Sequence, residues 1–267
     1  MTCLRKFKPA GPIASVAALS LFLCGNAIAA DLSQPEAELA FPPDERWEFS
    51  VAPYFWMAGL DGTIAQFGLD PVDVDLSFGD ILENLDFAAM VVGEARRGRF
   101  GIFTDILYVD VSASGSGPLG VLTASLDNQI FAGTAMAEYR VFDQGMTSVD
   151  VMAGARIWAV NTDVAITGEP GAGLFLSDDA SWVDPMIGVK ARMQGSSPWF
   201  LTTWAMIGGF GVSSDIDWDV LAGVGYEVND RFSAVAGYRA AGVDYQDGPF
   251  IFDVVLHGPI LGGVLRF

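Results

Sequence analysis

The chain has 267 residues and is strongly acidic, with 33 Asp and Glu against 14 Lys and Arg and a net charge of −19. Such a shortage of cations disfavours nucleic acid as a partner, because Lys and Arg neutralise phosphate groups. The mean hydropathy is nevertheless positive, at +0.37. After residue 30, polar residues interrupt every apolar run before it reaches the roughly 20 residues of a membrane-spanning helix. This combination indicates either a large soluble core or a closed barrel whose strands meet lipid at alternate positions.

Residues 1–30 have the composition of a cleaved secretory signal peptide. A basic start precedes an apolar core over residues 13–24, and Ala27-Ile28-Ala29 provides small residues for cleavage close to Ala30. The alternatives are an uncleaved membrane anchor and a lipid attached to Cys24. We predict cleavage, followed by a periplasmic lead-in over residues 31–46 and a barrel over residues 47–267.

Both cysteines, Cys3 and Cys24, lie in the predicted signal peptide. The mature chain would then contain none, which excludes disulfides, thiol catalysis and cysteine metal sites. Cleavage also removes three of the 14 basic residues and none of the acidic ones. The exported protein is therefore expected to be more acidic than the full chain.

Three segments alternate apolar and polar residues without a break, at 147–160, 182–193 and 216–228. This alternation is typical of β-strands, and about 10 residues suffice to cross a bilayer at a tilt. Seven further segments follow the pattern less clearly: 47–58, 86–96, 100–111, 127–142, 199–209, 232–244 and 251–267. The sequence therefore predicts an all-β fold, a transmembrane up-and-down antiparallel β-barrel of about 10 strands, with eight or twelve as alternatives.

The predicted connections alternate in length. The short ones are 97–99, 143–146, 194–198 and 229–231, and the longer ones are 59–85, 112–126, 161–181, 210–215 and 245–250. Short periplasmic turns and longer outer loops are typical of outer-membrane barrels. Arginines lie near the short turns, and acidic residues gather in the outer loops. We interpret both groups as solvated rims. The alternative is that the acidic loops bind divalent cations, Ca²⁺ or Mg²⁺, which would also bridge to lipid phosphates.

The chain ends in GPILGGVLRF, and Leu265 and Phe267 share one face of the last predicted strand. This ending resembles the C-terminal signal that the barrel-assembly machinery recognises. The resemblance continues through WEFSVAPYFW, EARRGRFGIFTD, GARIW, WVDPMIGVK, GGFGVSSDIDW and Gly237-Tyr238-Arg239. Together these segments resemble a family of small, largely uncharacterised proteobacterial outer-membrane β-barrel proteins. The resemblance implies an outer-membrane location, with membrane lipid as a partner, and no particular substrate.

Eleven charged side chains are expected to point into the barrel by the same alternation: Glu94, Arg96, Glu138, Arg140, Asp150, Arg156, Asp184, Lys190, Arg192, Glu227 and Arg239. Asp105 is expected to join them, and four aromatic side chains should also point inward: Trp56, Phe103, Trp158 and Trp182. Charges in a narrow lumen must pair, because an unpaired buried charge is unstable. We predict a lumen ion network that fills the barrel: Glu94, Asp105, Glu138, Arg156, Asp184, Lys190 and Arg239. The alternative is a polar pathway for a small solute.

The remaining aromatic residues near strand ends, Trp199 and Phe200 among them, are predicted to lie at the two membrane–water boundaries. No cofactor is predicted. Asp215, Asp217 and Asp219 alternate as in a calcium loop, but the Gly and the distant Glu of such a loop are missing. We interpret these three residues as strand alternation and predict no metal site.

A hydrolytic site needs a base that titrates near neutral pH, and His257 is the single histidine of the chain. It shares a strand face with Asp253, and Ser213 or Ser214 is a candidate nucleophile in a neighbouring loop. A surface histidine is the simpler interpretation, so the chain is not predicted to be an enzyme. The main prediction is an integral barrel with a structural or envelope-interaction role. The alternatives are a narrow porin-like channel and a barrel-embedded hydrolase that uses His257.

Overall fold

The computed structural model describes residues 46–116, 122–145, 147–168 and 172–267. The predicted signal peptide and nearly all of the predicted lead-in lie outside these residues. The described elements are β1 (Glu48–Trp56), β2 (Gly59–Ala65), β3 (Val72–Leu76), α1 (Phe78–Glu83), β4 (Leu85–Arg97), β5 (Phe100–Ser116), β6 (Leu122–Gln144), β7 (Thr147–Gly168), β8 (Ala172–Gln194), β9 (Trp199–Gly209), β10 (Ile216–Glu227), β11 (Phe232–Asp247) and β12 (Phe250–Arg266).

Ten strands, β1 and β4 to β12, form a closed antiparallel ring in the described part of the chain. Each strand pairs with its neighbour in sequence, and β1 pairs with β12 to close the ring, with Ser50 opposite Arg266. The prediction of a ten-stranded antiparallel barrel is confirmed. We call the end that holds Glu48 and Phe267 the lower end and the opposite end the upper end.

The segment predicted as a loop at 59–85 is in fact structured. Strand β2 continues along β12 above the point where β1 ends, so β12 is paired along its length by two pieces of chain. Strand β3 pairs with β2, and α1 follows. Ser77 caps α1 by accepting a hydrogen bond from the Asp80 N–H, while its own N–H and hydroxyl donate to the Asp80 carboxylate. These donors stabilise the ionised carboxylate and lower the pKa of Asp80.

Strands β5 to β8 are longer than predicted. Two predicted loops, 112–126 and 161–181, were wrong, because the strands continue through them to Ser116 and Gly168. The pairing persists because apolar residues still recur at every second position, so that Leu126, Val164 and Leu176 lie side by side. By contrast, the lower turns are as short as predicted. One example is the turn between Arg97 and Phe100, where Gly98 adopts a positive φ of 58°.

The outer face of the ring is apolar and exposed. Large apolar side chains cover it along the strands: Val51, Ile102, Ile106, Val151, Ile157, Val183, Ile187, Val189, Leu201, Ile207, Val220, Val224, Leu261 and Leu265. Exposed rings lie near the lower end: Trp47, Phe49, Phe100, Trp199, Tyr226 and Phe267. Phe200 was wrongly predicted to join them. It is 3% exposed and points inward, where Gly225 on β10 leaves room for its ring. Within the described ranges, no helix has the length and apolar character needed to span a bilayer.

Candidate functional site: the filled lumen

The lower half of the lumen holds a group of six charged side chains, which we call the lower ion cluster: Glu94, Arg96, Glu138, Arg140, Asp150 and Lys190. Arg96 Nη2 lies 2.7 Å from Glu138 Oε2 and 2.9 Å from Asp150 Oδ2. Lys190 Nζ lies 2.6 Å from Glu94 and 2.5 Å from Glu138. Arg140 donates to the second oxygen of Asp150 at 3.0 Å. Three cations thus neutralise three carboxylates across β4, β6, β7 and β8.

A second group, the central ion cluster, lies higher and is almost completely buried except for the partly buried Tyr54: Tyr54, Asp105, Thr134, Arg156, Asp217, Asp219 and Arg239. Arg239 Nη2 contacts Asp105 at 2.5 Å and Asp219 at 2.6 Å. Arg156 contacts Asp217 at 2.7 Å and the same Asp219 oxygen at 2.8 Å. Asp219 therefore joins two guanidinium groups that project from opposite parts of the ring, β7 and β11.

Neutral donors complete the central ion cluster. Trp158 Nε1 donates to Asp217, and Trp204 Nε1 donates to Asp219, both at 2.8 Å. Arg239 Nη1 donates to the Tyr54 hydroxyl at 2.6 Å, and Tyr54 in turn donates to Asp105 at 2.8 Å. Because the buried carboxylates accept several hydrogen bonds each, the desolvation of the charges is offset locally.

Aromatic rings close the upper half of the lumen. This aromatic cluster consists of Trp158, Trp182, Tyr245, Phe250 and Phe252. The rings of Trp182 and Tyr245 are parallel within 2°, with centroids 3.9 Å apart. Trp158 stacks beside Trp182 at 6.0 Å, and Phe252 is 1% exposed.

Asp184 joins the aromatic cluster to the upper loop between β9 and β10. It accepts hydrogen bonds from Trp182 Nε1 at 3.1 Å and from the backbone N–H and hydroxyl of Ser214 at 2.9 and 2.6 Å. Among the described residues no Arg or Lys lies within ion-pair distance of Asp184. It therefore fastens the loop through hydrogen bonds instead of a salt bridge.

The structure places all seven residues of the predicted network inside the barrel, in two separate groups. Glu94, Glu138 and Lys190 belong to the lower ion cluster, and Asp105, Arg156 and Arg239 to the central one. Asp184 faces Arg156 in the strand register but bonds to other partners. Asp217, Asp219 and Tyr54 also belong to the central ion cluster, although they were not predicted in the network. Each of them alternates with outward-facing neighbours along its strand, and this pattern indicates an inward-pointing side chain.

The single histidine lies on the outer surface of the barrel. His257 Nε2 is 3.0 Å from Asp61 Oδ2, and Nδ1 is 2.7 Å from the Tyr238 hydroxyl. The predicted partner Asp253 is not the one found, because β2 places Asp61 beside the histidine. The candidate nucleophiles are also engaged elsewhere: Ser213 donates to Val183 O, and Ser214 donates to Asp184 in the lumen.

The acidic upper loops do not converge in the part of the chain that the structure describes. No three His, Cys, Asp or Glu side chains come together there as a metal site. Asp80 caps α1, Asp178 accepts from the Phe67 N–H at 2.5 Å, and Asp73 accepts from Thr63 at 2.9 Å. Divalent-cation binding by these loops stays the untested alternative to solvated rims.

The C-terminal residues lie on the seam of the ring. Phe267 exchanges two backbone hydrogen bonds with Phe49, at 2.9 and 3.4 Å, and its ring is 75% exposed. Leu265, on the same outer face, lies opposite Val51 on β1 and Phe232 on β11. Recognition of these two residues by the assembly machinery stays a prediction.

The comparisons with known proteins concern the fold alone. No family model and no curated protein matches the chain. Among solved structures it is similar to the outer-membrane protease OmpT of Escherichia coli, with 11% identity, TM-score 0.47 and coverage of 86% of this chain and 99% of the other. The translocator domain of NalP from Neisseria meningitidis shows 14% identity, TM-score 0.42 and coverage of 83% and 89%. Ail of Yersinia pestis shows 13% identity, TM-score 0.34 and coverage of 84% and 99%.

The described residues form a closed antiparallel β-barrel of ten strands.

Proposed function

We propose that the protein is an integral outer-membrane β-barrel with a structural or envelope-interaction role, and that its lumen does not conduct solutes. The observation that carries this proposal is the central ion cluster. Its two arginines and three aspartates are each at most 4% exposed, and they link strands on opposite sides of the ring. A narrow barrel filled by its own side chains is a packed core rather than a pore.

The aromatic cluster supports the same proposal. It lies next to the central ion cluster, and Trp158 connects the two by donating to Asp217. A solute would have to separate the stacked Trp182 and Tyr245 rings and break paired buried charges. Both steps are unfavourable, since the charges would be left without partners in a poorly hydrated interior.

The outer face supports insertion in a lipid bilayer. His257 lies ten residues before Phe267 on β12, which corresponds to about 25 Å along the barrel axis for a strand tilted as in known barrels. The exposed residues between them on the outer face include Leu261 and Leu265. The polar group of Asp61, Tyr238 and His257 would then lie at the upper head-group level, and the rings at the lower end would lie at the opposite boundary. Lipid is therefore the proposed partner of this face.

Planar-bilayer recording of the refolded protein tests the closed lumen. The wild type should show no steady unitary current. Replacing Arg156 and Asp217 together with alanine removes the ion pairs of Arg156 with Asp217 and Asp219 without changing the net charge, and adding Trp182→Ala removes a stacked ring. This triple variant should conduct ions. Arg97→Gln, at an exposed position of the lower end, should show no steady current.

A narrow channel is the competing outcome. Steady unitary currents in the wild type that disappear when Asp184 or Arg156 is neutralised would establish a polar pathway and overturn the proposal. Heat-modifiable gel migration and cell fractionation test the location. Recovery of the folded protein from the soluble periplasm would contradict membrane insertion.

The contacts of His257 give a hydrolase one specific observation in its favour. An imidazole held between a carboxylate and a hydroxyl is arranged as a base would be. Lipid- and peptide-hydrolysis assays on the refolded protein test this second candidate. His257→Ala and Tyr238→Phe should each abolish any activity found. Activity that survives both substitutions, or a wild type without activity, would rule out a hydrolase that uses His257.

A further inference from the structure

A cavity of about 930 Å³ occupies the lower end of the lumen. The central ion cluster forms its upper limit through Tyr54 and Arg239, and its lower rim includes Glu48, Arg231 and Phe267. Binding sites for small molecules have volumes on the order of 300–1,000 Å³, so the cavity is large enough for one. Neither the fold nor the closed lumen requires this space to exist.

The two sides of the cavity differ in chemistry. On the side of β4 and β6 to β8 the wall is charged, and Arg96, Lys190 and Arg192 belong to it. On the side of β9 to β12, apolar side chains form the middle of the wall: Trp204, Leu221, Val235, Ile260 and Val264. Arg239 lies above them, and Arg231 and Arg266 lie below them. These two groups of strands form opposite halves of the ring. A bound molecule would therefore meet charged groups along one side and, on the other, an apolar band with cations at its two ends.

The charges that face the cavity are predominantly positive, because several carboxylates lie behind the cations that they neutralise. Seven Lys and Arg side chains line the cavity, against four Asp and Glu. Arg192 and Arg266 share one carboxylate, Glu227, at 2.8 and 3.7 Å. The guanidinium of Arg192 also lies over the ring of Phe200, 3.4 Å from its centre.

Two of the lining cations have side-chain N–H groups without a protein partner in the described part of the chain. Arg96 is 96% buried, and its Nη1 has no hydrogen-bond partner among the described residues. A buried N–H group without an acceptor is destabilising. This atom has less than 1 Å² of accessible surface, so a molecule in the cavity would reach it only after a shift of the Arg96 side chain. At the rim, the Arg231 side chain makes no ion pair with any carboxylate in the described ranges.

We propose that this cavity binds a single-chain anionic amphiphile, with a carboxylate or phosphate head group against the arginines and an apolar body against β9 to β12. The barrel would then take up such a molecule from the side of the short turns, without passing it through the lumen. Guanidinium groups recognise both head groups through charge-assisted hydrogen bonds. This inference goes beyond a closed envelope barrel, and it can fail or hold whichever way conductance is found.

Calorimetric titration of the refolded protein in zwitterionic nanodiscs tests the proposal. The probes are octanoate and octyl phosphate, with octanol and octyltrimethylammonium as neutral and cationic counterparts, and empty nanodiscs correct for partition into lipid. One saturable site should appear for the two anions, and binding of octanol and of the cation should be at least about tenfold weaker, since a hydrogen bond to a charged group contributes on that order. Tighter binding of octanoate or of octyl phosphate would distinguish a fatty acid from a phosphate monoester as the natural source.

Two substitutions locate the site without touching the buried ion pairs. Val235→Phe fills the cavity from its apolar side and should abolish the saturable site. Arg231→Gln removes a cation at the rim and should weaken anion binding severalfold. Arg97→Gln, a matched loss of charge at an exposed position outside the cavity, should leave affinity unchanged.

Equal affinity for octanol and octanoate would overturn the anionic preference. Anion binding that Val235→Phe leaves intact would show that the molecule binds elsewhere. Normal heat-modifiable migration of each variant confirms that it is folded, so that lost binding reports on the site.

Discussion

The upper and lower parts of the lumen differ although the same strands build both. Strand β11 passes through the two regions: Val243 is 2% exposed within the packing around the aromatic cluster, whereas Val235 lines a cavity of about 930 Å³. The upper part is filled by rings and paired charges, and the lower part is only partly filled. If the lumen is closed as proposed, one complete layer of side chains is enough to close it. The cross-sections away from that layer are then open to other uses.

The largest expected effect is the loss of a central charge. Arg239→Met should lower the free energy of unfolding by about 3–5 kcal/mol, because Asp105 and Asp219 would lose a shared buried partner. Denaturant unfolding in lipid, followed by tryptophan fluorescence, measures it. Arg192→Met is the matched change at the lower end, where the ion pair with Glu227 is about one-third exposed. It should lower the free energy of unfolding by less than about 1 kcal/mol. Equal losses would remove the distinction between the two regions.

Adding side-chain volume should give the next largest difference in stability between the upper and lower parts of the lumen. Val243→Phe overfills a packed layer and should lower the free energy of unfolding by about 1–3 kcal/mol. Val235→Phe, on the same strand, adds the same atoms to an open space and should change stability by less than about 0.5 kcal/mol. The same unfolding assay compares them. A large loss from Val235→Phe would mean that the lower end is packed after all.

Glycine positions offer a finer test of the same contrast. A Cβ at Gly208 would lie 2.3 Å from the backbone oxygen of Pro185, and one at Gly225 would lie 2.0 Å from the ring of Phe200. The backbone has little freedom to move, whereas the ring borders the cavity and can swing into it. Gly208→Ala should therefore be more destabilising than Gly225→Ala, by about 1 kcal/mol or more. The reverse order in unfolding experiments would show that Phe200 is held in place.

The smallest effect concerns α1, outside the ring. Ser77→Ala removes the cap and should speed amide hydrogen exchange in Phe78–Glu83 without changing the unfolding of the barrel. The pKa of Asp80 is lowered in the folded protein, so its stabilising contribution is present above the unfolded-state pKa and is lost as pH falls through the lower folded value. Protection of α1, corrected for intrinsic exchange rates, should therefore decrease in strong acid. Protection that is unaffected by acid or by Ser77→Ala would contradict the capping role.

Alternation of residue types was sufficient to predict the ring and its inward charges. It failed at 112–126 and 161–181, where small and polar residues suggested loops although the every-second-residue pattern continued. The same pattern places Asp217 and Asp219 on the inner face, although their spacing also resembles that of a calcium loop. Partners across the ring, such as Asp219 with Arg156, depend on register and curvature, which the alternation within one strand does not determine.

The cavity could not be predicted from the sequence at all. Volume depends on how far each side chain extends toward the opposite wall, and that depends on strand number and stagger together. The partners of His257 were missed for a related reason. Asp61 reaches the histidine only because the chain leaves β1 and returns beside β12 as β2, a path that no local pattern encodes.

The seam between β1 and β12 has a consequence for biogenesis. Phe49 and Phe267 hydrogen-bond to each other although more than two hundred residues separate them along the chain. Closing so long a loop is entropically demanding, and folds dominated by such distant contacts form slowly. The ring also stays open until β12 has been synthesised and delivered, with two unpaired strand edges exposed meanwhile. An unassisted chain would be prone to edge-to-edge aggregation during that interval, so its yield in cells should depend on how quickly the last strand is captured.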